Sequence, residues 1–380
     1  MPGDKGKKSG RVLVREADYD ESIRAAIEEA FQAFPLDLAG KKVLVKPNIL
    51  APHRPDAAVT THPTLVRETV AFLVQKGAQV MVGDNPGVGG YGRSESSART
   101  CGLFDAAEGC FVNLARRPVQ HPVPSRFFSR VTVSREVLEA DLVVSLPKLK
   151  THGLTVLTGG VKNTFGYVVG GEKMRVHAAA TTPARFAEAL VDIYSIRPPD
   201  LTIMDAVVAM EGNGPSNGKP RRLGKILASD NAVCLDAVAC ALTGIKPGNV
   251  PTLAIAHKRG LGEIAHERIP VDGAFTPASG FATPSTFVPG IAGMLLNRFL
   301  SRRIACMPEV DRESCKACGL CAEHCPVSAM EFAPGAPPKP DEKKCIRCYC
   351  CQEMCPSDAI RLSGRVIGLA RRAIASKQQS

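Results

Sequence analysis

Short aliphatic runs, each bounded by charged residues or proline, alternate with stretches whose apolar residues recur at helical spacing. The runs Arg11–Arg15 (RVLVR), Lys42–Lys46 (KVLVK, stopped by Pro47), Gln79–Gly83, Asp141–Leu146 and Leu201–Met204 predict strands. Between them, Asp20–Phe34 predicts a helix with Ile23, Ile27, Ala30 and Phe31 on one face, and a second helix runs from His62-Pro63 to about Lys76, stopped by Gly77. Pro183–Tyr194, Asp230–Leu242 and Pro251–Arg259 read as further helices. Strands alternating with helices predict an α/β fold: an open, mostly parallel sheet with helices on both faces. The stretch from about Phe275 to Pro289, rich in Pro, Ser, Thr and Gly, predicts a linker or meandering loop.

The cysteines change the picture. Ten of the fourteen fall between Cys306 and Cys355, in a chain that is long and opens on the polar, basic MPGDKGKKSG with no apolar segment behind it. Such crowding reads as metal ligation rather than as a disulfide framework. Cys315-x2-Cys318-x2-Cys321-x3-Cys325-Pro326 is repeated as Cys345-x2-Cys348-x2-Cys351-x3-Cys355-Pro356. Zinc sites pair short Cys hairpins instead of using a run of four closed by proline, so zinc is the weaker reading. The doubled run resembles a bacterial-type ferredoxin with two [4Fe–4S] clusters. That resemblance implies that Cys315, Cys318, Cys321 and Cys355 hold one cluster and Cys345, Cys348, Cys351 and Cys325 the other. Cys101, Cys110, Cys234 and Cys240 read as small buried hydrophobes, and Cys350, out of register beside a ligand, as packing. Cys306 has no readable role.

The boundaries that follow are an α/β domain over residues 1–300, a small α+β ferredoxin-like module over 306–364, and a basic tail over 365–380. With 380 residues, 44% of them hydrophobic, the chain is long enough for these units and too apolar for wholesale disorder. Its net charge of +11 is unevenly spread, since residues 306–360 hold nine acids against six bases. The five basic residues after Ile360 have no aromatic interleaving, so a solvated helix end is favoured over specific nucleic-acid binding. The apolar run Phe287–Leu300 reads as helix packing rather than membrane attachment. A cytoplasmic location is expected.

Several predicted strands end in polar residues. In an open parallel sheet, ligands bind beyond the carboxyl ends of the strands. Lys46, Asn48, Asp84, Lys148, Lys150, His152, Asp205 and Glu211 are therefore expected near one edge, with Lys162 and Asn163 in the adjoining Gly-rich segment. Each alone is a weak signal, because polar loops also cap helices. Lys46, Asn48, Asp84, Lys148, Lys162, Asn163, Asp205 and Glu211 form the expected binding set for an anionic small molecule or cofactor. His152 and His177 are read as proton carriers because imidazole titrates near neutrality, and Lys150 is grouped with them as catalytic. Asp84, Asp205 and Glu211 are candidate ligands for a divalent cation. Thr158–Gly166 is no Walker loop, because Val precedes Lys162, and Gly87-x-Gly89-x2-Gly92 lacks the acid after the next strand that a dinucleotide site needs.

Together these loops resemble the family known as domain of unknown function 362, which is often joined to a ferredoxin module. The matching segments are Lys46-Pro47-Asn48, Gly83–Gly87, Leu146–Gly153, Gly160–Asn163, Asp205-Ala206, Glu211–Pro215, Ala228–Asn231, Leu235–Ala237 and Cys345–Glu353, over about residues 40–360. His177 sits where such proteins often carry a histidine after the Lys-Asn segment. The resemblance implies fold and cluster binding but no reaction. The expectation is an iron–sulfur protein in which two [4Fe–4S] clusters exchange electrons with a redox partner protein and with a small molecule in the α/β domain. The alternative is a non-enzymatic electron carrier or maturation scaffold whose large domain docks a partner.

Overall fold

The computed structural model describes residues 8–87, 94–287 and 306–363. Strands β1 (Val12–Glu16), β2 (Lys42–Pro47) and β3 (Gln79–Val82) form as expected. A small hairpin, β4 (Pro118–Pro122) with β5 (Arg130–Ser134), stands apart. It is followed by β6 (Leu142–Leu146), β7 (Lys148–His152), β8 (Val156–Thr158), β9 (Leu201–Asn213), β10 (Asn217–Ser229) and β11 (Val271–Asp272). The nine-stranded sheet runs β11-β1-β10-β9-β6-β2-β3, with β7 and β8 off this path. β2, β3, β6 and β9 are mutually parallel, and the aliphatic runs of the inner strands β2, β6 and β9 are buried on both faces, while β3 lies at the edge with only Val82 buried.

Helices cover both sides. Asp20 caps helix Glu21–Ala33 by accepting from Ser22 N, and Pro63 begins helix Pro63–Gln75. Ile23, Ile27, Phe31, Leu65 and Leu73 from these two helices share a core with Val43, Val45 and Val144 of the sheet. Helix Ala232–Thr243 packs its Leu235 and Val238 with Met204 and Leu227 in a separate core. Helix Pro183–Tyr194 adds Phe186 and Leu190 to a third core with Leu44 and Val143.

Two expectations need correction. The strand at Leu201 does not stop at Met204. It continues to Asn213 and pairs antiparallel with β10, whose Gly218, Pro220, Gly224 and four basic residues conceal a strand in the sequence. A register shift between Arg222 and Lys225 accommodates Gly224 at φ 63°. Lys148–His152, expected as a loop, is strand β7, and all five residues are buried although four of them are polar. The irregular segment after β11 is held along the β9–β10 hairpin: Gly212 N donates to Ala282 O, Ala282 N to a Glu211 oxygen, and Ser285 N to Asn213 Oδ1. Most of Phe287–Leu300, and the basic tail, lie outside the described residues.

The C-terminal module is two copies of one loop. β12 (Met307–Val310) pairs antiparallel with β15 (Ile360–Ser363), and β13 (Met330–Glu331) with β14 (Lys339–Pro340). Asp311 O accepts from Cys315 N as Asp341 O does from Cys345 N, and Asp311 N donates to Ala359 O as Asp341 N does to Ala329 O. The copies differ where Gly319 (φ 74°) is matched by Tyr349 (φ 62°). A tyrosine in this left-handed conformation costs roughly 1–2 kcal/mol. Its buried ring offsets that cost by packing into the α/β domain's third core, so the exchange of Gly for Tyr helps dock the module.

Candidate functional site

The centre of the site is a pair of buried charges. β2 carries Lys46 to its end, and the turn after β3 carries Asp84, so neighbouring parallel strands deliver both to one place. Lys46 Nζ lies 2.7 Å from Asp84 Oδ1, and both side chains are buried. Lys46 Nζ also donates to Asn163 Oδ1 at 3.0 Å and to Pro47 O at 2.9 Å. Burial outweighs the pull of Asp84 and sets the Lys46 ammonium below its ordinary value. Asp84 accepts from Ile49 N and Asn85 N as well. A Cβ at Gly166 would stand 2.0 Å from Asp84 Oδ1, so the backbone approaches the pair there as only glycine allows.

Lys148 and Asp205 make a second buried pair, at 2.9 Å. Tyr19 OH donates to Asp205 Oδ1 and accepts from Lys148 Nζ, while Asp205 Oδ2 accepts from His62 N. The Tyr19 and His62 rings stack at 3.5 Å. This cluster is saturated with internal partners.

A cavity of about 80 Å³ opens beside the first pair, walled by both domains. Asn48, Asp84, Lys150, Lys162, Lys173 and His177 line it from the α/β domain, and His324, Cys350, Glu353 and Met354 from the cysteine-rich module. Burial pulls Lys173 down to about 8 and Lys150 well below its ordinary value. Lys150 Nζ donates to Val59 O, and Lys173 Nζ to Asn85 O. Glu353 Oε1 lies 3.2 Å from His152 Nε2. Although burial raises it, Glu353 is held down to about 2 by His152, Lys162 and His177. His152 Nδ1 accepts from Leu154 N and Thr155 N, which leaves the proton on Nε2, facing that carboxylate.

Since Asp84 is matched by Lys46, the lining places Lys150, Lys162 and Lys173 against Glu353 alone, which suits an anion. Five lining residues, Asn48, Asn85, Thr158, His177 and His324, each keep a buried polar atom without a protein hydrogen-bond partner. Such a density of unmatched groups calls for a bound molecule or ordered water.

The expected site residues therefore divide. Lys46, Asn48, Asp84, Lys150, Lys162, Asn163 and His177 gather at the cavity, and His152 stands behind Glu353. Lys148 and Asp205 are consumed in their own cluster, and Glu211 accepts from Ala282 N at the β9–β10 hairpin. Asp84, Asp205 and Glu211 thus do not converge on one cation, because each carboxylate serves a different local partner. The expected near-neutral titration of the histidines is also lost. Burial pushes His152 down to about 4 and His177 to about 3, the latter stacked on Phe186 at 4.1 Å. Lys173, Asn85, His324 and Glu353 escape sequence reasoning. Glu353 had a signal, its place in the second cysteine run, while Lys173 had none.

The segment carrying Lys162 is fixed from below. Asp236 accepts from Gly160 N at 2.6 Å and from Val161 N at 3.0 Å. Burial raises its carboxyl from 3.8 to about 7. The folded state therefore holds a proton that the unfolded chain releases, so this contribution to stability is full below about pH 4 and lost as pH rises through about 7. Asp236→Ala should lower stability by about 2–4 kcal/mol, the cost of two buried N–H groups left without acceptors. Asp236→Asn should cost less and flatten stability between pH 4 and 7. Thermal unfolding across that range checks both, and an unchanged pH slope in the Asn variant would exclude the assignment.

The cysteine module offers its own fit test for iron–sulfur ligation. A small separate cavity is lined by Cys315, Cys318, Cys321 and Cys355, the set that crosses between the two runs, and Cys325 is not on its wall. Backbone N–H groups point at four sulfurs: Ala317 at Cys315, Ala329 at Cys325, Arg347 at Cys345 and Ala359 at Cys355, at 3.1–3.4 Å. Such donors stabilise thiolate ligands and tune a cluster's potential. The residues present fit the clusters.

Comparison with known proteins agrees. Residues 43–241 match the family described as domain of unknown function DUF362, and residues 308–331 and 338–361 match the 4Fe-4S binding domain. A thylakoid-associated protein of Synechocystis sp. is 34% identical over 262 residues, 67% of this chain and 81% of that protein. Among solved structures, a protein from Thermotoga maritima aligns with a TM-score of 0.40 at 15% identity over 61% of each chain. The lactate racemase apoprotein from Thermoanaerobacterium thermosaccharolyticum aligns with a TM-score of 0.41 at 14% identity, over 65% of this chain and 59% of that one. The chain thus spans under two thirds of either solved structure. Among the described residues no helix is long and apolar enough to cross a membrane.

Proposed function

The chain belongs to the DUF362 family and carries a 4Fe-4S binding domain, and from that premise we propose that it passes electrons between two clusters and a small anion held in the interdomain cavity. One observation carries the proposal: the cavity's lysines come from the α/β domain, while its opposite wall, Cys350, Glu353 and Met354, belongs to the helix between the cluster ligands Cys348 and Cys355. An anion there lies against the backbone of a cluster-binding loop, where electron exchange needs no rearrangement. The clusters supply one-electron chemistry, and a redox partner protein supplies or removes the electrons. Lys162 and Lys173 bind charge, Asn48 orients the ligand, and the apolar Ile49, Phe165 and Met354 exclude water.

Anaerobic calorimetry with inorganic phosphate and short dicarboxylates on the intact chain tests this. At least one should bind at sub-millimolar Kd. Lys162→Met should weaken that binding by about tenfold or more, the value of one charge-assisted contact. Affinity should also fall as pH rises through about 8, where Lys173 loses its proton. Absence of binding by every anion, with both clusters intact, would favour the electron carrier that docks a partner through its large domain.

A further inference from the structure

Two donors on the cavity wall, His177 and Cys350, are used neither by the anion nor by the expected ligation of the two clusters, and both lie beside the cluster ligand Cys348. A ring nitrogen of His177, Cys348 Sγ and Cys350 Sγ all lie within 4.8 Å of one another. His177 is 7% exposed and its Nδ1 has no hydrogen-bond partner, while its ring is fixed by stacking on Phe186 and by an edge contact to Phe165. Cys350 is out of register with the cluster run, and its side chain is on the cavity wall with His177. Its place in the sequence suggested packing alone, but the fold sets it opposite an imidazole from the other domain.

We propose that His177 and Cys350, together with the sulfur of Cys348 shared with the adjacent cluster, bind one additional metal ion of borderline softness in this cavity. Around a tetrahedral zinc ion, with Zn–S about 2.3 Å and Zn–N about 2.0–2.1 Å, donor atoms stand roughly 3.5–4 Å apart. The three donors are within about 1 Å of that arrangement before any ion draws them together. Two thiolates and an imidazole select zinc, iron(II) or a similar ion over magnesium or calcium, which prefer oxygen. Three protein donors leave a fourth position toward the cavity, the pattern of a site that takes an exogenous ligand. Binding replaces the Cys350 thiol proton, which leaves to solvent, and no atom changes oxidation state. The ion does not require the anion reading, since its donors are all protein groups. Its site would nonetheless place an anion's coordinating atom one bridging sulfur from the cluster.

The test uses the intact chain with its clusters, purified without oxygen, stripped of loose metal by a mild chelator, and titrated with zinc alone. About one zinc per chain should be retained beside about eight irons, with sulfur and nitrogen donors in its X-ray absorption spectrum. Cys350→Ser and His177→Gln should each weaken zinc binding at least tenfold while iron content stays at the wild-type value. In the wild type, zinc should shift the paramagnetic spectrum of one reduced cluster, and in Cys350→Ser it should not. Failure to retain zinc, equal retention by both variants, or loss of iron from Cys350→Ser would overturn the site. An unshifted cluster spectrum with zinc bound would overturn the shared sulfur. Because phosphate and dicarboxylates are absent, none of these results bears on whether the cavity binds an anion.

Discussion

Replacing Cys355 by serine should remove the cluster of the first cysteine run, although Cys355 lies in the second. Iron should drop from about eight per chain to about four, or to about seven if a three-iron cluster survives. The basis is the small cavity walled by Cys315, Cys318, Cys321 and Cys355 together. In the same way Cys325→Ser should remove the cluster of Cys345, Cys348 and Cys351. Pairs of substitutions make the assignment unambiguous. Cys318→Ser with Cys355→Ser should cost no more iron than either alone, because both act on one cluster. Cys318→Ser with Cys325→Ser should cost both clusters. If instead Cys318 and Cys325 behave as one unit, each run holds its own cluster and the crossing is wrong. The expected loss extends to stability. With the crossed ligation, each cluster would join a loop of one copy to the end of the other, and between the runs the described strands are only two residues long. Metal binding of this kind is folding free energy, so removing one cluster should loosen the whole module.

How much of this is legible in the sequence depends on whether a feature is local. KVLVK at β2 is a continuous apolar run between lysines, and only a strand buried on both faces suits it. The cysteine spacing is equally local, and its repeat exposes the two-fold character of the module. β10 fails the same test, because its residues face both solvent and a neighbour that lies adjacent in sequence but was itself read as ending early. The division of the lysines is hidden for another reason. Lys148 and Lys150 are two residues apart with the same surroundings in sequence, yet one meets Asp205 and Tyr19 and the other meets Val59 O at the cavity. Only the fold decides which acceptor each reaches. The histidines show the same limit: residue type suggests titration near neutrality, and burial removes it. Glu353 and Cys350 are legible as parts of a cysteine motif but not as cavity walls, since that role requires the module to be docked through Tyr349 against Gly153.

Asp84→Ala should be among the most damaging single changes in the α/β domain. It leaves the Lys46 ammonium fully buried without its counter-charge, and breaking such a pair costs about 3–5 kcal/mol. Ile49 N and Asn85 N lose their acceptor at the same time. Lys46 also holds Asn163, which in turn reaches Ser145 Oγ and the Lys46 carbonyl, so the disturbance passes directly into the short helix that presents Lys162. The damage should therefore show in two ways: a large shift in the denaturant midpoint of the α/β domain, and loss of anion binding under conditions where the variant is still folded. A double variant separates charge from shape. Lys46→Met combined with Asp84→Asn removes both charges and keeps side chains of similar size. Because no unpaired ion remains, it should recover about 2 kcal/mol or more of the loss. Its anion affinity should stay low, since the strand ends are no longer clamped to Asn163. If Asp84→Ala costs less than about 1 kcal/mol, or if the double variant is no better than the single, the pair does not organise the site. The lysines of the cavity would then need another support.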